Sequence, residues 1–252
     1  MDKKKFWQFR ATTNEENTGD LLLYGEISSS SWWGDEVTPQ QFKQDLDALG
    51  DITALNVFIN SPGGDVFASQ AIYSMLIRCA AQVNVYIDGL AASGASLIAM
   101  AGDTIIMPKN AMMMIHNAWT IAVGNANSFR KLADDLDKIQ ESMIAVYQAK
   151  TGMESDKIAG MLDAETWMTA DEAVSNGFAD EIEAEKAIAA SISGGFMVIN
   201  GQKMDLSRFK NPPKLAFLPV IQAPKQPEKP PETPPSRLAI MRRRLDLAEK
   251  LN

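Results

Sequence analysis

The first 200 residues of this 252-residue chain predict an α/β layered fold. Short apolar runs of strand character alternate with helical periodicity from Leu21 to Gly177, and no long meander of strands interrupts them. An apolar share of 46% with 22% charged residues is that of a globular protein able to bury a full core. Nine of the twelve prolines lie beyond residue 200, where the alternation stops.

The elements follow in order. Residues 21–27 read as a strand. Thr38-Pro39 pairs a capping hydroxyl with proline at the first helical position and opens a helix to about Leu49. Residues 55–60 form a second strand that ends in Ser61-Pro62-Gly63-Gly64. From Asp65, apolar Ala68, Ala71, Ile72, Met75, Leu76 and Cys79 recur at helical spacing. Residues 83–87 are a third strand, closed by Asp88-Gly89. A helix starts at Ser93 and runs to about Met100, followed by strands over 104–107 and 112–115. A long helix is expected over about 127–150 with Gly152 as its stop. Thr169-Ala170-Asp171-Glu172 has capping-box spacing, and Gly177 stands where a helix-ending glycine belongs.

Three regions are expected: an N-terminal segment (1–19), a domain (20–200), and a C-terminal tail (201–252). Within the tail, residues 223–235 are so rich in proline that a disordered, polyproline-like linker is expected. Beyond it, Ser236 caps a short amphipathic helix carrying Leu238, Ile240, Met241, Leu245, Leu247 and Leu251, with Arg242-Arg243-Arg244 at its middle. The tail holds eleven basic and five acidic side chains, leaving residues 1–200 with thirteen basic and twenty-seven acidic ones. So acidic a body argues against nucleic acid as the main partner. No apolar run is long enough to span a bilayer, and Met1-Asp2-Lys3-Lys4-Lys5-Phe6 has no secretory apolar stretch, so a cytoplasmic location is expected. The single Cys79 excludes an internal disulfide and reads as a small buried thiol.

Chemistry is concentrated in three segments. Ser93 lies in Gly89-Leu90-Ala91-Ala92-Ser93-Gly94-Ala95-Ser96, at a helix start where small neighbours leave the hydroxyl open to a carbonyl. The same serine also suits a plain helix cap, and Ser96, one turn further in, is a weaker nucleophile candidate. His116, the only histidine, follows the apolar run 111–115 and is the one imidazole available to take a serine proton. Pro62-Gly63-Gly64 is either an ordinary turn or a source of a backbone amide for an oxyanion; it lacks the lysine and hydroxyl of a phosphate loop. A carboxylate to orient the imidazole comes from Asp163 or Glu165, between which spacing does not decide. With one histidine no metal site is expected, and no cofactor is.

With these pieces in place, the chain resembles the proteolytic subunit of the Clp protease over about residues 20–185, most closely its phage and prophage head-maturation branch. The matching stretches are residues 58–64, 89–95, 113–117 and 166–173, with Gly177 to Asp180. The resemblance implies stacked β-β-α units of the fold shared with crotonases, and makes residues 20–200 a serine protease domain. By position it implies Ser93 as nucleophile, His116 as general base, and the amides of Gly64 and Gly94 as the oxyanion hole. The family aspartate falls on Glu165, one methylene longer, with Asp163 as the alternative acid. It also implies peptide or protein substrates and assembly into seven-membered rings that pair around a chamber, with the long helix where rings meet. Partners are then a docking ATPase unfoldase, or the scaffold and capsid proteins of a phage prohead. The tail is expected to tether the enzyme there or to be removed by self-cleavage.

Three other readings share parts of this pattern. A crotonase-type acyl-CoA enzyme has two oxyanion amides but needs no serine–histidine pair. A serine–lysine peptidase would keep activity without His116. An inactive structural protein of the phage head would keep only the fold and the tail.

Overall fold

The structure, a computed structural model, describes residues 5–11, 17–28, 38–184 and 190–212. All of them fall within the unit Met1–Ile221, and the second unit, Gln222–Asn252, holds none. The linker expected over 223–235 and the helix expected from Ser236 lie outside the described residues.

Alternating apolar residues become strands here because one face of each packs into the core. The chain begins with β1 (Trp7–Ala11) and β2 (Thr18–Tyr24), then α1 (Pro39–Asp47), β3 (Ala54–Ser61), α2 (Val66–Ile77) and β4 (Gln82–Ala92). There follow α3 (Gly94–Ala99), β5 (Thr104–Pro108), β6 (Met112–Ile115) and the long α4 (Ala126–Thr151). The last elements of the main layer are α5 (Ser155–Asp163), β7 (Thr166–Thr169), α6 (Ala170–Ser175) and β8 (Glu181–Glu183). A small sheet, β9 (Ala190–Ser193), β10 (Phe196–Ile199) and β11 (Gln202–Asp205), precedes a 3-10 turn, Leu206–Arg208. The α/β fold expected from the alternation is the fold observed.

The main sheet runs β1-β2-β3-β4-β5-β8, with β6 pairing β4 and β7 pairing β6. Strands β2 through β5, β6 against β4, and β8 against β5 are parallel; β1 on β2 and β7 on β6 are antiparallel. Strand β4 pairs with β3 along one edge and serves two neighbours along the other. Its first half pairs with β5 (Asn84↔Thr104) and its second half with β6 (Ala92↔Met114). Leu55, Val57, Ile59, Val85 and Ile87 are fully buried along one face of β3 and β4, with half-buried Asn56, Phe58, Asn84 and Tyr86 between them, whereas β6 is buried throughout.

Local chemistry sets the helix ends. Thr38 accepts from the Gln41 amide at 3.2 Å, with Pro39 opening α1. Thr169 and Glu172 form the reciprocal capping box of α6, and Gly177 follows at φ 76°. Gly152 ends α4 at φ 69°. Cys79 sits just past α2 and is half-buried, not fully buried, because the helix stops at Ile77.

Strands β7 and β8 were not anticipated, nor were β1 and the β9–β11 sheet. β1 lies inside the expected N-terminal segment and edges the sheet. The division that proline content places at residue 200 falls on the tight turn between β10 and β11, where Asn200 and Gly201 have φ 47° and 79°. Asn-Gly between alternating apolar residues is a strong hairpin signal, and it places Met197, Ile199, Met204 and Leu206 in the core. Among the described residues no helix is long and apolar enough to cross a membrane.

Candidate active site

Strand pairing explains why residues distant in sequence meet. β4 and β6 run side by side, with Ala92 opposite Met114, and the Ser93 amide donates to the Met114 carbonyl at 2.9 Å. Ser93 and His116 therefore leave neighbouring strand ends in the same direction, and Ser93 Oγ lies 2.8 Å from His116 Nε2. β7 returns antiparallel along β6, with Ile115 opposite Thr166, which brings Glu165 to the same end. Ser93 is held at φ 54°, ψ −127°, a conformation that costs a non-glycine residue and lifts its side chain out of the strand-to-helix bend.

The glycine segment lies against this bend. Parallel pairing of β3 with β4 reaches Ser61↔Ala91, so Pro62-Gly63-Gly64 continues beside Ser93. Ile27 fixes the loop, donating to the Gly63 carbonyl at 2.8 Å and accepting from the Asp65 amide at 2.9 Å. A methyl group on Gly64 would sit 1.9 Å from the Ile27 carbonyl oxygen. One on Gly94 would meet the Ser69 hydroxyl at 2.2 Å, and it would lie 3.6 Å from the Gly64 nitrogen. The two amides are thus neighbours, and no hydrogen bond among the described residues uses either. Such a pair can accept an oxyanion formed at a carbonyl attacked by Ser93.

Burial holds the His116 imidazole below its ordinary proton affinity; the Glu165 carboxylate opposes this shift, and Lys210 adds to it. A neutral imidazole beside a hydroxyl can take its proton.

The two acids are placed differently. Glu165 is 5% exposed, at φ 50°, and its carboxylate accepts from Trp167 Nε1 at 3.3 Å and from the Lys210 and Asn211 amides at 2.7 and 2.8 Å. Asp163 lies nearer solvent and accepts from Asn117 Nδ2 at 2.6 Å. Ser96 is fully buried, contacting the Ser93 carbonyl at 2.6 Å and the Tyr147 hydroxyl at 2.9 Å, which gives it a structural place. Burial raises the Tyr147 hydroxyl well above the usual range.

A cleft of about 1210 Å³ opens over these groups, with Ser93, His116 and Gly64 at one side and Trp119, Leu136 and Phe209 among its walls. Phe209, Trp167 and Ser69 were not singled out in the sequence. The Asn200-Gly201 hairpin signal would have extended the folded body far enough to include Phe209. Among the described residues no group of three or more His, Cys, Asp or Glu side chains is gathered as metal ligands.

Residues 20–186 match the Clp protease family. Two similar proteins, each named ATP-dependent Clp protease proteolytic subunit, come from Bacteroides fragilis strains ATCC 25285 and YCH46. Each is 31% identical over 144 residues, which is 56% of this chain and 69% or 65% of the relative. The family match runs from β2 through β8 and takes in every strand end that delivers Ser93, His116 and Glu165, so the chain belongs to the Clp protease family.

Proposed function

We propose that the chain is a serine endopeptidase acting through an acyl-enzyme. The observation that carries this reading is the 2.8 Å approach of Ser93 Oγ to His116 Nε2, beside the paired amides of Gly64 and Gly94. Ser93 attacks the peptide carbonyl while its proton passes to His116 Nε2. The two amides receive the negative charge on the former carbonyl oxygen. His116 then gives the proton to the departing amine, and a water activated by the same imidazole releases the acyl group. Glu165 is the acid of the triad, supported by its burial and by its electrostatic effect on His116. A fluorophosphonate probe tests the nucleophile: it labels the wild type and fails on Ser93→Ala. Labelling of Ser93→Ala at the wild-type rate refutes the assignment.

The setting is head maturation in a phage or prophage, with scaffold and capsid segments as substrates, and with self-association into paired heptameric rings. Trp119, Ile121 and Val123 are exposed beside α4, and Phe129 on that helix is half-exposed, which suits a surface covered by further copies. The basic, proline-rich tail beyond the family match suits a tether or a segment removed by self-cleavage. A second reading has one observation behind it: both Bacteroides relatives are named as ATP-dependent. Cleavage of a phage scaffold protein without nucleotide supports head maturation. A requirement for ATP and an unfoldase supports the second reading.

A further inference from the structure

Beyond β11 the polypeptide crosses the candidate active site. The crossing starts from a fixed point: Leu206 is buried, and its amide donates to the Gly195 carbonyl at 2.8 Å. The hairpin behind it is fixed as well. Asn60 Nδ2 donates to the Ile199 carbonyl at 3.0 Å and Asn200 Nδ2 to the Asp88 carbonyl at 2.7 Å, while Met197 is fully buried.

From this anchor three residues reach the centre. The Phe209 ring lies between two others, 5.7 Å from the His116 imidazole and 5.6 Å from the Trp167 indole. The Lys210 amide donates to Glu165 Oε2 and the Asn211 amide to Oε1, at 2.7 and 2.8 Å. Asn211 Nδ2 closes the contact on the Ala164 carbonyl at 2.8 Å.

We propose that Phe209 and the backbone amides of Lys210 and Asn211 are positioning groups: the ring packs the His116 imidazole toward Ser93, and the amides hold the Glu165 carboxylate beside it. This rests on the reading of Ser93 and His116 as nucleophile and base. In a triad of the usual kind the carboxylate itself orients the imidazole by accepting from Nδ1. Here the Glu165 hydrogen bonds among the described residues run to Trp167, Lys210 and Asn211, so orientation falls to packing. A carboxyl group this buried needs hydrogen-bond donors around it, and the indole contact at 3.3 Å is the longest of the three. The two strap amides therefore do most of the holding. They lie beyond residue 186, where the family match ends.

The charges facing the imidazole are Glu165, from the turn before β7, and Lys210, from the crossing segment. Asp135 of α4 and Lys203, Asp205 and Arg208 line the same cleft. Because His116 is the only histidine, its titration can be followed directly by NMR of the imidazole in the full chain, whether or not the protein is a peptidase.

The test uses full-chain Phe209→Ala, Phe209→Tyr, Lys210→Ala and Lys210→Pro, read by imidazole NMR and by peptide hydrolysis across pH. Phe209 has φ −112° and ψ 144°, which accepts a proline after it. Both Lys210 variants lose the ammonium, and only the proline loses the amide, so their difference isolates that donor. Phe209→Ala is expected to lower kcat about tenfold with little change in KM and to move the imidazole titration to higher pH, since a solvated ring takes up a proton more readily. Phe209→Tyr restores both. Lys210→Pro is expected to be about tenfold slower than Lys210→Ala. Its titration falls below that of Lys210→Ala, as a loosened carboxylate supports the imidazolium less. A Phe209→Ala titration equal to the wild type's, together with a Lys210→Pro titration equal to that of Lys210→Ala, overturns the proposal. Faster turnover or probe labelling in either also overturns it, because the segment then obstructs the site. If Lys210→Pro fails to fold, the Phe209 pair decides. A wild type that hydrolyses nothing, with the titrations shifting as stated, refutes the peptidase reading and leaves the positioning intact.

Discussion

Replacing Ser93 by glycine and by alanine separates the strain at this position from its chemistry. Both variants lose the hydroxyl and its contact with His116, so neither turns over, and that loss cancels between them. What differs is a Cβ atom held at φ 54°, ψ −127°. Glycine accepts this conformation, whereas other residues hold it at a cost of about 1–3 kcal/mol. Against that, glycine loses about 0.5–1 kcal/mol more than alanine to backbone entropy on folding. Ser93→Gly should therefore be more stable than Ser93→Ala by up to about 2.5 kcal/mol, and by about 1.2 kcal/mol at the middle of these ranges. For a chain of this size each kcal/mol moves Tm by about 2–4 °C, so the middle value corresponds to about 2–5 °C. Calorimetry of the two variants, checked by urea midpoints, measures it. A Ser93→Gly protein that melts below the temperature of Ser93→Ala would refute the claim that the bend stores strain.

Three further outcomes are expected. Gly64→Ala places a methyl group on the backbone of Ile27, so the loop must shift and carry its amide away; kcat should fall about 10²- to 10³-fold in a peptide assay, and a wild-type rate would remove that amide from the mechanism. Burial, reinforced by Lys210 and opposed by Glu165, holds His116 below its ordinary value of 6.5, so the acid limb of kcat/KM should lie below pH 6.5. The folded state then binds fewer protons than the unfolded chain, and the stability this contributes is present above 6.5 and lost as pH falls through the folded value, which urea midpoints across pH will read. Glu165→Gln should lower kcat about tenfold or more while Asp163→Asn stays within about twofold, and the reverse order in steady-state assays would assign the acid to Asp163.

Much of the arrangement is legible in the sequence for identifiable reasons. Apolar residues at alternate positions mark 55–60 and 83–87 as strands with one buried face, and the unbroken apolar run 112–115 marks a strand buried throughout. Caps are local, which is why Thr38-Pro39, the Thr169–Glu172 box, Gly152 and Gly177 could be placed to the residue. Ser93 and His116 each end a strand, and a shared direction follows once the strands are parallel neighbours. The long-range features are less visible. β1 does alternate, Trp7-Gln8-Phe9-Arg10-Ala11, but over only five residues, and the expectation of a separate N-terminal segment over 1–19 passed over it. The β9–β11 sheet begins with a Gly194-Gly195 turn and continues through Asn200-Gly201, both signals outweighed by the proline count beyond them. The choice between Asp163 and Glu165 depends on which carboxylate the crossing segment covers, and spacing along the chain contains no trace of that.

The double pairing of β4 has a consequence for evolution at this site. A strand with one free edge can shift its register by two residues and keep its apolar faces. β4 has no such freedom near its end, because Ala91 is laddered to Ser61 on one side and Ala92 to Met114 on the other within the last two positions. β4 already carries two residues that β3 does not match, between Ile59↔Ile87 and Ser61↔Ala91; beyond that shift, an insertion or deletion at the ends of β3, β4 or β6 would have to be matched in two partners at once. Lengths along these three segments should therefore be invariant among working relatives, with variation in size confined to the connections and to whatever follows β8.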